Sequence, residues 1–442
     1  MSEPIVYVLP HVDPSIRLVA PGYQVQQLHL TAWDRLAEAA ARNPPAPADP
    51  AERALLAAAG AAFESQAHLA AQAALVALAG RAHRWPVRLR LDDLELATGS
   101  TESADDVLRA VDGLPFADEC RQVAGPAIVW VDRDQQLPAL AALARRITDP
   151  VTLAGPFARD HWPVLRTWLP PGSELVELAA HWESATAAPV RWLSRSGDGH
   201  AWLDTATAPE VGDAVAVPAG CVGLILGLAA ADAGGVVTSN GDSVSWSAVA
   251  ALTCRAPVLA EFWLAAPGET ARSCMDSAAR IAQADLPWRI AGCRPFHLTS
   301  SQWAGRPVPL LPQDATLPRG VRYAAADLSA CQADLIRLLR RRGRLAPART
   351  ASAYLDLLRQ AGEPALAPGV LAPGVLAPGV VVSKADGDFW LVDLAAARTI
   401  RLDPRIGTRL IDLPPGAPLP AAVVRLLAGA GVLTAQGGGQ RR

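Results

Sequence analysis

Apolar and polar residues alternate along the first two hundred positions in two different periods. Ile5–Leu9 and Arg17–Leu30 read as short strands, rich in aromatic and β-branched residues around a Pro-Gly turn. Helical periodicity follows near Thr31–Arg42 and through the Ala-rich stretch Pro50–Gly80, with NPPAPADP as a Pro-rich connector between them. From Pro86 onward PVRLRL is predicted as a strand, Ser103–Val111 as a helix and GPAIVWV as a second apolar strand. DQQLPALAALARRI is then predicted as an amphipathic helix, PVTLAG as a third strand and Ala158–Trp168 as another helix. Strands and helices in this alternation predict βαβ units around a parallel sheet, giving a Rossmann-like α/β domain over residues 1–195.

The alternation resumes less regularly. DAVAVP, CVGLILG, GGVVTS, VLAEFWL and RIAGCRPFHL are strand-like, with helices predicted at Ser245–Ala251 and Thr270–Ala284. A further helix at Ala324–Arg342 ends in LIRLLRRRGRL, where arginines before Gly343 mark a solvated, capped C-terminus rather than an anion site. A second α/β domain is therefore assigned to 196–360. Three LAPGV-type units within 361–379 cannot be helical, because each Pro removes a donor, and they predict a semi-extended linker. Beyond it, strands joined by a turn at Ala385–Asp388 and short helices at Ile406–Leu413 and Pro420–Ala428 predict a small third domain, 380–442, with a disordered GGGQRR tail.

Composition narrows the chemistry. A net charge of −3 offers no field for nucleic acid or an anionic membrane, and no apolar run reaches the roughly eighteen residues that span a bilayer. The N-terminus lacks the pattern of a secretory signal, so the chain is expected to be cytoplasmic. The six cysteines lie nineteen or more positions apart, without a CxxC, and are expected as reduced, buried thiols. Lys384 is the only lysine and sits in a polar SKADGD turn, which excludes P-loop, Schiff-base and protein-kinase lysine chemistry. The eight histidines are dispersed, with His161–Trp162 and His181–Trp182 expected at helix edges. Cys293 and His297 would share a strand face about 13 Å apart, at roughly 3.3 Å per residue, too far for proton transfer.

Asp132 and Asp134, in VWVDRDQQ, follow an apolar strand at the end where α/β sheets bind ligands. A DxD pair there could hold a divalent metal on a nucleotide-linked donor. The simpler reading gives Asp134 to the helix N-cap and leaves Asp132 in solvent. Asn240, Asp242 and Ser243 follow another strand and would cap the next helix or meet an anion there.

The stretch GPAIVWVDRDQQLPALAALARRITDPVTLAGPF resembles the cobalamin-binding-type domain of B12-dependent radical SAM enzymes, through Gln136-Leu137-Pro138-Ala139-Leu140 and Ala154-Gly155-Pro156. The resemblance extends at pattern level to EFWLAAPGE and RIAGCRPFHL, which are similar to part of a radical SAM barrel, and to a C-terminus similar to winged-helix peptide-recognition domains. It implies a ligand-binding role for Gly155, and places Phe389, Trp390 and Leu391 on the strand near which such domains pair a leader peptide. Where the cluster motif belongs, only Cys221 stands, and the cobalamin-ligand histidine is missing. The resemblance therefore implies a degenerate relative, with cobalamin or an iron–sulfur cluster held only through unfamiliar ligands, if at all. The expected function is a non-catalytic accessory role in ribosomal-peptide maturation, with a precursor peptide and a modifying enzyme as partners and no cofactor. A glycosyltransferase-like enzyme using Asp132 and Asp134 is the alternative.

Overall fold

The structure, a computed structural model, describes residues 4–10, 14, 16–63, 68–89, 94–99, 101, 104–124, 127–184, 191–193, 201–203, 223–238, 243–253, 258–264, 269–286, 289–295, 302–303, 306–307, 338, 375–376, 379–394, 397–413, 418–420, 423–424, 427 and 433–434. The chain divides into two compact units, one of residues 1–46, 72–189 and 297–318, the other of 47–71, 190–296 and 319–442.

In chain order the first elements are β1 (Ile5–Val8), β2 (Ile16–Val19), β3 (Gln24–Gln27), α1 (Leu28–Arg42), α2 (Pro50–Ala62), α3 (His68–His83), β4 (Val87–Leu89) and β5 (Leu94–Leu96). There follow α4 (Ala104–Ala110), α5 (Ala117–Cys120), β6 (Ala127–Trp130), a 3-10 turn (Asp134–Gln136), α6 (Leu137–Ala144), β7 (Thr152–Ala154), α7 (Pro156–Leu165), β8 (Glu174–Leu175) and β9 (His181–Ser184). The core of the first unit is a five-stranded sheet in the order β3-β1-β6-β7-β8, parallel throughout. The predicted α/β class with a parallel sheet is thus the observed one. Every residue of β6 is buried, as expected for a parallel strand covered on both faces. β1 lies between β3 and β6, so the strand order reverses beside it, and the carboxyl ends of β1 and β6 form a topological switch point.

Several elements differ from their sequence-based expectation. The helix α6 is not amphipathic: Leu137 to Leu143 are all buried, a helix apolar on every side and packed within the core. PVRLRL does not join the parallel sheet but pairs with β5 in a separate antiparallel ribbon. The Ala-rich stretch holds two helices, α2 and α3, and α1 begins at Leu28, because Leu28 and His29 start its buried face. His181 and Trp182 stand on β9, antiparallel to β2, rather than at a helix edge.

The second unit contains β10 (Arg191–Leu193), β11 (Ala201–Leu203), β12 (Gly223–Ala231), β13 (Gly235–Thr238), β14 (Ser243–Ser245), α8 (Trp246–Thr253), β15 (Val258–Leu264), α9 (Ala271–Gln283) and β16 (Arg289–Pro295). Here β11, β12, β15 and β16 run parallel, and β12-β13-β14 form an antiparallel meander. The pair β17 (Gln302–Trp303) and β18 (Arg306–Pro307) belongs to the first unit. DAVAVP and the Ala324–Arg342 segment lie outside the described residues apart from Leu338. Within the predicted linker, β19 (Val375–Leu376) is a strand, pairing with β23 (Leu433–Thr434).

The C-terminal part is a three-stranded antiparallel sheet, β20 (Val380–Ala385), β21 (Asp388–Asp393) and β22 (Arg398–Leu402), followed by α10 (Pro404–Leu410). Asp386 and Gly387, with φ of 52° and 85°, make the two-residue hairpin turn that suits the twist of paired strands. One face carries Val380, Leu391 and Leu402 into a cluster with Leu410, Leu419, Val423 and Leu427. Val392, pointing the other way, is equally enclosed, and α2 packs against all three strands. The small residues Ala54, Ala58, Ala59 and Ala62 let that helix approach closely, and Arg53 pairs with Asp386 at 2.5 Å. Residues 47–71, assigned to the first domain by sequence order, therefore belong with the C-terminal sheet.

This packing yields an expected outcome. Leu55, 2% exposed, should cost roughly 3 kcal/mol when truncated to Ala and should speed amide exchange in β20–β22. Arg53→Ala, which removes a half-exposed ion pair, should cost less than about 1 kcal/mol. Unchanged exchange in residues 380–402 of the Leu55→Ala variant would refute the assignment of α2 to this sheet.

Candidate functional site

The switch point of the first unit is built from the residues that follow β6. Val131 continues the ladder by donating to Ala154 O at 2.8 Å, and its own carbonyl accepts from Ala158 N at 3.1 Å. Gly155 allows this approach. Its backbone lies at φ 109° and ψ 158°, a region open in practice only to glycine, and a Cβ there would overlap the Val131 carbonyl. Gln136 then bridges the turn, accepting from Asp132 N at 2.7 Å and donating to Trp130 O at 3.0 Å.

Asp132 is not solvated, contrary to expectation; its side chain is 9% exposed. Arg133 grips it with Nε and Nη2 at 3.1 and 3.0 Å, and the Trp182 indole N–H donates to Oδ2 at 2.7 Å. The Arg133 guanidinium also lies 5.5 Å from the Trp182 ring centroid, a cation–π arrangement. His29 meets the same indole edge-on at 6.0 Å and donates from Nε2 to Ile16 O at 2.8 Å. Asp134 is wholly buried and accepts from the Thr101 hydroxyl at 2.6 Å. It caps neither the 3-10 turn nor α6 through its side chain, so the N-cap expectation is also corrected.

Two histidines at this end of the unit are held neutral. Burial pushes His29 down to about 4, against the opposing pull of its bond to Ile16 O, with Arg133 adding to the depression. His161, packed on Phe157 at 4.3 Å, is likewise lowered to about 4 by burial, with Asp160 and Asp134 opposing. The cluster is therefore a clasp, with its carboxylates committed to partners inside the protein. That arrangement does not fit a DxD metal site, which needs both carboxylates turned to a shared cation. Among the described residues no group of three or more His, Cys, Asp or Glu side chains converges as metal ligands.

The other sequence candidates fare differently. Asn240, Asp242 and Cys221 lie outside the described residues. Ser243 starts β14 and does not open the helix; Ser245 does, accepting from Ala248 N at 3.2 Å. Phe389, Trp390 and Leu391 sit on β21, the central strand, whose backbone is paired on both sides. Leu391 is core, at 1% exposure. A peptide therefore cannot add to β21 itself at these three residues, and any strand pairing near them falls to a neighbouring strand. Sequence reasoning missed Trp182, His29 and Thr101 as partners of the two aspartates, because each contact spans at least thirty positions or passes through another residue.

Cys120 and Cys274 are buried, as expected. No helix among the described residues is long and apolar enough to cross a membrane. Compared with known proteins, the chain matches no family model, no curated protein and no solved structure.

Two outcomes follow from the clasp. Gly155→Ala should destabilise the protein by roughly 2–4 kcal/mol, read by urea unfolding; a loss under about 0.5 kcal/mol would show that the backbone can relax there. Both histidines are neutral in the fold but take up a proton on unfolding below about pH 6.5. Their contribution is complete above that pH and is lost as pH falls toward 4, on the order of 3 kcal/mol for each. His29→Gln should remove about half of this acid sensitivity, and an unaltered pH profile in that variant would count against the assignment.

Proposed function

We propose that the protein is a non-catalytic accessory component in the maturation of ribosomally made peptides, and that it holds an extended precursor peptide at the outer edge of β22. The observation that carries this reading is the arrangement of the C-terminal sheet. Among the described residues β22 pairs only with β21, so one side of its backbone is open to strand addition. The sheet's two faces are already covered by α2 and by the cluster that includes Leu410 and Val423, which leaves the edges as the docking elements. β22 also runs directly into α10, and Ile411, just after that helix, is an exposed apolar side chain that a peptide's own apolar residues can meet.

The state of Asp132 and Asp134 favours this reading over a nucleotide-linked transferase. Both carboxylates serve internal partners, so neither is poised for a metal-bound donor. A modifying enzyme remains the expected partner, and no cobalamin or cluster is assigned.

Panning the full-length protein against a display library of linear peptides should enrich micromolar binders. A bound peptide should slow amide exchange in residues 398–402 while leaving 380–385 unchanged, and Ile400→Asp should weaken it about tenfold or more. Failure to enrich any peptide, or protection confined to other elements, would remove the proposal.

A further inference from the structure

The second unit contains a polar contact that the peptide-holding role does not use. Glu269 lies between β15 and α9, 8% exposed, and its Oε2 accepts from the Cys274 thiol at 2.9 Å. Cys274 is fully buried within the apolar cluster that includes Leu226, Val258, Leu264 and Ile281. One turn further along α9, Ser277 Oγ accepts from Ala231 N at 3.0 Å and so ties the helix to the carboxyl end of β12. Cys274 and Ser277 share a helix face, and that face joins α9 to the parallel strands. The helix start itself is already satisfied: Thr270 and Ser273 form a reciprocal capping box. Glu269 is therefore not needed as a cap, and among the described residues its buried Oε1 has no hydrogen-bond partner.

Among the described residues no cation pairs with this carboxylate. Arg272, Asp276 and Arg280 of α9 are exposed, as is Asp285 after it. Asp232, at the end of β12, is exposed and accepts from the Gly234 and Gly235 N–H groups. Burial, only partly offset by the thiol, raises Glu269 to about 7. A neutral carboxyl satisfies the contact with one acceptor and one O–H; a charged one must be held in an apolar cluster beside a single weak donor.

We propose that the Glu269–Cys274 contact is a proton-operated latch that holds the entry of α9 to the sheet, closed while the carboxyl keeps its proton and released when it loses it. Opening exposes the Cys274 thiol, which makes that thiol the reporter of the latch. With the carboxyl titrating near 7, the open population should grow about tenfold between pH 6 and pH 8.

The test is pulsed labelling of the full-length protein with iodoacetamide, with Cys274 followed by peptide mass spectrometry. Glu269→Gln, a neutral side chain of the same shape, is the reference under identical conditions, so the reagent's own pH dependence cancels. The ratio of wild-type to variant labelling should rise about tenfold from pH 6 to pH 8. A flat ratio would overturn the latch. Amide exchange in wild-type protein provides a second measurement that needs no variant. Protection of residues 271–277, corrected for intrinsic rates and compared with α8, should fall selectively at pH 8, and constant relative protection would also overturn the latch.

Discussion

A carboxylate withdrawn from water is costly unless it is paired, and the carboxyl end of β6 carries one in Asp132. The elements around it are arranged to keep that charge accompanied. Arg133 is the next residue, so the guanidinium arrives with almost no loss of chain freedom. Trp182 comes from fifty positions away, and its indole N–H holds β9 to the β6 end. Because β9 pairs with β2, and β2 offers the Ile16 carbonyl to His29, the same carboxylate indirectly fixes where α1 begins. Removing either partner of this half-buried pair leaves the other charge less well accompanied and so costs stability.

Two buried carboxyl groups in this protein meet the same problem in opposite ways. Asp132 is met by a guanidinium and an indole donor. Among the described residues Glu269 has a thiol for a partner, and burial makes it an acid that keeps its proton near neutrality. The histidines of the first unit lose their contribution as pH falls from about 6.5 toward 4, whereas Glu269 loses its own as pH rises toward 7, so the two kinds of group oppose each other over the same mildly acidic range.

Most of the first unit's sheet was legible in the sequence. The apolar runs at Ile5–Val8, Ala127–Trp130 and Thr152–Ala154 are strands, and their spacing with helices implied parallel pairing. What period and propensity could not carry were contacts that join distant positions. Asp132 and Asp134 were picked out by their place after a strand, yet Trp182 and Thr101, which decide their state, carry no local mark. The helix α6 was misread because a Gln-rich start and two arginines at its end framed a segment that is apolar throughout. At Phe389–Leu391 the strand was recognised, but strand order, and hence whether an edge exists, is a long-range property.

The helix α2 gives the C-terminal sheet a history. It precedes β20 by more than three hundred residues, yet packs on all three strands. A thirteen-residue helix is marginal alone in water, so its Ala-lined face has nothing to rest on when it first leaves the ribosome. At roughly 5–20 residues per second, tens of seconds of synthesis separate the helix from its sheet. The C-terminal sheet thus closes on a piece of chain that has been waiting since early translation. A fragment starting at residue 380 would lack that helix, and an exchange of C-termini between related chains would have to carry residues 47–71 along with it.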